Sequence, residues 1–295
     1  MARAISFAPL LTSAVLLACG ETHVTLLEPI IGHADASVPS DAGDAAPFDA
    51  GNAAPLDAAA GGEGGSDGST RPPLYAAHLI HRYSFDGEGS RVVDSVGSAD
   101  GSLQGGAVLD GAGHVTLDGT DDYVNLPNGL VSGLTDATLI AWIVWNGGPP
   151  WQRVLDFGST DAGEDMVGDA TSSLFLTPLR LPGTGPATSF QTTSNEFGSV
   201  DSDVPFPQTK VAAIAVVVDA RKQELRMYAA GAPLGTGKAQ PLALLSDQND
   251  WLGRSQWVQD RYLRARYDEF RIYDAALSDA DLAALEAAGP DSLAR

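Results

Sequence analysis

The sequence predicts an all-β fold, a sandwich of antiparallel sheets with one short helix at its C-terminal end. Three observations carry this. After residue 72 nearly every apolar segment is short and bounded by Gly, Pro, Asp or Asn. Several of these segments alternate apolar and polar residues, the period of an extended strand with one buried face. Strands also do not alternate with helices, as a parallel α/β sheet requires, and turn residues recur at short intervals instead.

The first 19 residues stand outside this fold. Arg3 is a positive start, and Ile5 to Ala18 is an apolar stretch too short for an ordinary membrane span. It closes on Leu16-Leu17-Ala18-Cys19, which resembles a bacterial lipobox and makes Cys19 the expected lipidation site. Cys19 is the one cysteine of the chain, so the domain must be stable without an internal disulfide. Residues 20 to 72 are dominated by Ala, Asp, Gly, Pro and Ser. Such a segment buries too little apolar surface to offset its ordering entropy, and it reads as a disordered, self-repelling tether. The net charge is -21, from 38 acids against 17 Lys and Arg. That excess argues against nucleic acid and against an anionic membrane surface as partners, so contact with a membrane is expected through a lipid anchor only.

Residues 73 to 295 hold the folded domain. Leu79 to Phe85 reads as a first strand with Leu79, His81, Tyr83 and Phe85 on one side, followed by the turn Asp86-Gly87-Glu88-Gly89. Leu103 to Leu109, His114 to Leu117 and Tyr123 to Leu126 are strand-like. Thr138 to Trp145 is apolar on both faces, so both should be covered; Lys210 to Asp219 has the same character. Gln223 to Ala229 carries Leu225, Met227 and Ala229 inward. Regions 158 to 170 and 180 to 209 read as long loops with edge strands of undefined limits. Asp250 to Gly253 is a short strand before a loop over 254 to 261. In Tyr262 to Leu277, strict alternation puts Asp268 with Phe270 and Ile272, and Tyr267 with Glu269, Arg271 and Tyr273. A helix then starts at Ser278, a good N-cap, with Asp281 in its first turn and Leu282 and Leu285 on one face.

Several motifs occur in a telling order: H-R-Y-S-F-D-G, G-T-D-D-Y-V-N-L-P, L-T-D-A-T-L-I-A-W-I-V-W, A-I-A-V-V-V-D, L-R-M-Y-A-A-G, W-L-G-R-S and D-E-F-R-I-Y-D-A-A-L-S. Over about residues 78 to 288 the chain resembles laminin-G-like domains of the concanavalin A type. One departure is local: Ala265 stands where the family often has Gly. The resemblance implies a jelly-roll sandwich with its first and last strands adjacent. It also implies a structural calcium ion near those strands, with Asp86 and Asp268 as ligands and Asp94 as a third contributor; Gly-rich turns would add carbonyl oxygens.

Other candidate ligand-binding residues are the loop tryptophans Trp151, Trp251 and Trp257, whose rings could stack on a sugar face. Catalytic residues are not expected. The E-x-D-x-x-E strand motif of glycosidases on this sandwich is absent, no two of the domain's glutamates stand at strand spacing, and neither H-E-x-x-H nor G-x-S-x-G occurs. The expectation is a monomeric, non-enzymatic module of the cell envelope, at the outer membrane or cell surface, binding a glycan or an extracellular or envelope protein. The alternatives are a polysaccharide hydrolase with a non-standard acid pair and a structural envelope protein without a small ligand.

Overall fold

The structure is a computed structural model and describes residues 74–292. The signal segment, Cys19 and the tether over 20 to 72 lie outside the described residues. In chain order the strands are β1 (Leu79–Tyr83), β2 (Glu88–Gly89), β3 (Arg91–Val92), β4 (Gly101–Gln104), β5 (Leu109–Asp110), β6 (Val115–Asp118), β7 (Tyr123–Leu126) and β8 (Ala137–Trp145). They continue as β9 (Leu155–Thr160), β10 (Ala170–Thr177), β11 (Ala187–Gln191), β12 (Phe197–Asp201), β13 (Val211–Asp219) and β14 (Glu224–Ala229). The last are β15 (Ala232–Lys238), β16 (Asn249–Leu252) and β17 (Arg264–Tyr273), before helix α1 (Asp279–Ala288).

A nine-stranded sheet runs β15-β14-β13-β8-β17-β6-β5-β2, with β1 also on β17. An eight-stranded sheet runs β12-β11-β10-β9-β16-β7-β4-β3. The ladders that join β8 to β13 and β17, and β9 to β16, are antiparallel. Strands β8 and β9 follow each other in the chain yet lie in different sheets, as do β16 and β17. This is a jelly-roll crossing pattern, and β1 lies against β17 as expected.

The core fills the space between the sheets. Leu139, Ala141 and Ile143 of β8 and Ile214, Val216 and Val218 of β13 meet Leu155 and Phe157 of β9 and Leu174 and Leu176 of β10. The alternate residues of β8 and β13, namely Ile140, Trp142, Ala213, Ala215 and Val217, form a second cluster with Leu282 and Leu285 of α1. Each fully buried Val, Leu, Ile or Phe among them stabilises the fold by about 1.5–3 kcal/mol. Helix α1 starts with a capping box between Ser278 and Asp281, so its position is fixed locally as well as by packing.

One reading is corrected. In β17 the register slips between Tyr267 and Glu269, which oppose the consecutive residues Ile143 and Trp142. Asp268 is the extra residue of this bulge, so strict alternation fails there. Tyr267 joins Phe270 and Ile272 in the core, while Tyr273 joins the cluster under α1. The edge strands expected in the region 180 to 209 are the paired hairpin β11–β12. At this edge the two sheets meet backbone to backbone: a Cβ on Gly198 would lie 1.8 Å from the Lys238 carbonyl oxygen. Glycine in these strands is therefore required by contact between main chains.

Candidate functional site

The outer face of the eight-stranded sheet carries the candidate site. Strand register lines up Ser199, Ser189, Phe175, Asp156, Trp251, Asn125 and Ser102 across the sheet. Their chain neighbours Leu155, Leu174, Leu176 and Leu252 point into the core, so this row points away from it. Two connecting segments fold over the row, residues 146–154 before β9 and residues 253–263 before β17.

Where these segments meet, Trp151, Arg153, Phe175, Trp257, Gln259 and Asp260 line a cleft of about 390 Å³. Phe175 forms its floor. The Trp151 and Trp257 rings stand edge-on to it, with centroids 6.3 and 5.9 Å away. The Arg153 guanidinium lies over the Phe175 ring at 4.0 Å, and 5.2 and 5.6 Å from the Trp257 and Trp151 rings. Each contact is within cation–π range. The guanidinium is pinned on three sides. It donates to the Trp151 carbonyl oxygen (2.7 Å) and to Asp156 Oδ2 (3.2 Å), and pairs with Asp260 Oδ2 (2.8 Å). Trp151 is turned outward by a positive φ of 67°, uncommon for a residue other than glycine.

The segment that presents Trp257 is anchored through Gln256. Its backbone N–H donates to Asp156 Oδ2 (3.0 Å), and its side-chain amide donates to the Asp156 and Asn249 carbonyl oxygens. Asp156 is fully buried, and its Oδ1 has no partner. Burial pushes its pKa up to about 6, against the pull of Arg153 and the Gln256 N–H.

A second cation–aromatic group adjoins the first. Arg254 lies 4.0 Å over the Trp251 ring and 4.6 Å over Tyr123, and it donates to the Asp165 carbonyl oxygen (3.2 Å). Trp251 is entirely buried there. The structure thus brings Trp151 and Trp257 into one cleft and puts Trp251 in the floor beneath Arg254, out of reach of a ligand. Sequence reasoning missed Arg153, Phe175, Asp260 and Arg254. The usable signal was Phe175, a large apolar residue out of phase with the core residues Leu174 and Leu176.

The description "Concanavalin A-like lectin/glucanases superfamily" matches residues 118–283, more than half of the chain. The chain belongs to this superfamily. Similar solved structures agree on the fold. Domain 4 of AbnA, a GH43 extracellular arabinanase from Geobacillus stearothermophilus, solved in complex with arabinotriose, superposes with a TM-score of 0.56 at 19% identity. That match covers 71% of this chain and 98% of that one. The botulinum neurotoxin serotype D binding domain gives 0.55 at 13% identity, covering 72% of this chain and 52% of that one. The serotype D ligand binding domain in complex with N-acetylneuraminic acid gives 0.53 at 12%, covering 71% and 50%. The chain therefore spans about half the length of the neurotoxin domains it resembles. No curated protein sequence matches it.

The carboxylates that the superfamily resemblance suggested for calcium are engaged otherwise. Asp94 Oδ1 accepts from the backbone N–H groups of Arg82 (3.0 Å), Val96 (3.2 Å) and Gly97 (2.9 Å). Its Oδ2 accepts from Ala99 N–H (3.1 Å) and pairs with His81 Nδ1 (2.6 Å). Burial opposes ionisation, yet these donors hold the carboxyl at about 2. Asp268 takes both Nε (2.7 Å) and Nη2 (3.0 Å) of Arg266 in a bidentate pair. Asp86 is exposed and accepts from Ser84 Oγ (2.7 Å). Among the described residues, the acidic group with ligand atoms within 4.8 Å of one another is Asp118, Asp121 and Asp122. Asp86, Asp94 and Asp268 do not form such a group, and two of them offer a hard cation no free pair of oxygens. As a calcium donor set these three do not fit. Of the glutamates, Glu164 is exposed and accepts from Asn128 Nδ2 (2.7 Å), while Glu269 is buried between Arg82 and Arg271.

Proposed function

We propose that this protein is a non-catalytic carbohydrate-binding module, carried at the cell envelope on a tether lipidated at Cys19, and that it takes its glycan in the cleft of Trp151, Phe175 and Trp257. The observation that carries the reading is the cleft itself. Two partly buried tryptophans flank the Phe175 floor, over which a guanidinium is locked by three partners, so stacking surface and polar rim are preorganised. The arabinotriose of the arabinanase domain and the N-acetylneuraminic acid of the neurotoxin domain support the same ligand class. Non-catalytic action is favoured because the two acids nearest the cleft, Asp156 and Asp260, share one guanidinium, and Asp156 is wholly buried. Neither is available to flank a glycosidic bond as acid or nucleophile.

The test is a glycan array probed with the full-length protein and with Trp257→Ala. Glycans bound by the parent should lose about tenfold or more in affinity to the variant, whose melting temperature should be unchanged. Binding that ignores Trp257, or new reducing ends released from any bound polysaccharide, would contradict the reading. Mass spectrometry of the N-terminal peptide should find an acylated Cys19.

A further inference from the structure

The aromatic cleft opens into a longer groove. Asp260 lines it and also lines a second depression of about 490 Å³, walled by Thr120, Val258, Arg261 and Tyr262. Gly119, Pro149 and Gln152 continue that wall into a third, of about 460 Å³, which reaches Gln208 and Arg264. Three adjoining depressions match a chain-like ligand better than a single sugar.

Charge along the groove departs from the rest of the molecule. Acids outnumber basic residues by 38 to 17 in the sequence, and most described arginines are matched to a carboxylate. The described arginines that form no ion pair within 4.0 Å are Arg221, Arg254, Arg261 and Arg264. Arg254 is spent on Trp251 and the Asp165 carbonyl oxygen. Arg261 and Arg264 are exposed, and both line the groove. Of the acids nearby, Asp118, Asp121 and Asp122 cluster at the groove's edge, with Asp118 and Asp121 exposed. Asp260 is bound to Arg153 and Ser255, and Asp118, opposite Arg264 in the ladder, accepts from Thr120 N–H at 2.7 Å.

We propose that the glycan bound here is a linear acidic polysaccharide, with a ring stacked between Trp151 and Trp257 and its carboxylate or sulfate groups met by Arg261 and Arg264. This rests on the glycan-binding reading above. A guanidinium presents a planar fork of donors that fits a carboxylate or sulfate, and charge-assisted bonds of that kind are the strong ones. The protein's overall negative charge does not prevent it. At physiological ionic strength fields decay over about 8 Å, so distant acids are screened while contacts within the groove are not.

Calorimetric titration of the full-length protein tests this with polygalacturonate, alginate and chondroitin sulfate, each beside its methyl-esterified form, desulfated as well in the case of chondroitin. At least one acidic polymer should bind about tenfold tighter than its neutralised form. The double variant Arg261→Gln/Arg264→Gln should erase that difference, and Arg221→Gln, away from the groove, should keep it, with all melting temperatures alike. Neutral polymers bound through Trp257 as tightly as acidic ones, with no effect of the arginine variants, would overturn the acidic ligand and leave the glycan reading standing. Failure of every sugar to bind through Trp257 would overturn both.

Discussion

The two sheets turn opposite kinds of surface away from their shared core. Outside the nine-stranded sheet, Ile140, Trp142, Ala213, Ala215, Val217 and Tyr228 are sealed by Leu282 and Leu285 of α1. The polar groups on that side serve closure. Arg226 donates to Asp279 Oδ1 at the start of α1 (2.6 Å), and buried Arg271 reaches the Pro290 and Ser292 carbonyl oxygens beyond its end. Among the described residues no α-helix packs outside the eight-stranded sheet. Aromatic rings, two stacked arginines and polar side chains lie under loops, and five buried polar atoms lack partners: Asn125 Oδ1, Asp156 Oδ1, Ser173 Oγ, Trp251 Nε1 and Arg254 Nε. The helix-covered side has three, on Trp142, Arg226 and Tyr228. Unpaired buried polar groups cost stability and persist where something besides packing selects them. One face holds the domain together, and the other is the one we propose to meet a ligand.

That contrast breaks first at Glu269. It is 1% exposed and bridges Arg82 and Arg271, and its own burial pushes its pKa up. Glu269→Ala leaves Arg271 buried without a counter-charge, at a cost of about 3–5 kcal/mol. Urea denaturation should show that loss, while the protein still folded binds glycan normally. Equal loss of binding affinity would mean that the faces are not independent.

A smaller effect is the pH dependence set by the acid under the cleft. Asp156, under the cleft, has a folded pKa of about 6, above its ordinary value of 3.8. Between those values the folded state holds more protons than the unfolded one. The Asp156 contribution to stability is therefore greatest below about pH 4, falls as pH rises to about 6, and stays low above that. The stability difference between the parent and Asp156→Asn should follow that slope; a flat difference across the window would contradict it.

The smallest expected effect is that of calcium. With Asp94 and Asp268 committed to internal donors, melting curves in calcium and in chelator should superimpose. A chelator-induced drop that Asp268→Ala abolishes would show that these acids rearrange around an ion.

Legibility of the sequence followed the range of the interactions. Ser278 and Asp281 cap α1 within four residues of chain, so the helix could be placed before any partner was known. Strand β8 announced its two covered faces because both sets of alternate residues are apolar. The bulge at Asp268 was hidden, since it exists only relative to Ile143 and Trp142 on a strand more than a hundred residues earlier. Trp151 and Trp257 could be picked as loop tryptophans, but the burial of Trp251 depends on Arg254 folding back over it. Phe175 and Arg153 meet only because β9 and β10 pair. The acids group by resemblance alone, whereas Asp94 is held by local donors from Arg82 to Ala99.

Hydrogen–deuterium exchange on the full-length protein, with and without a bound glycan, tests the contrast between the faces most directly. Added protection should concentrate in residues 146–157 and 254–264, which carry Trp151, Arg153, Trp257 and Asp260, and helix α1 should exchange as before. Protection centred on α1 or on the strands beneath it, with the two loops unchanged, would contradict the assignment of the ligand-binding face.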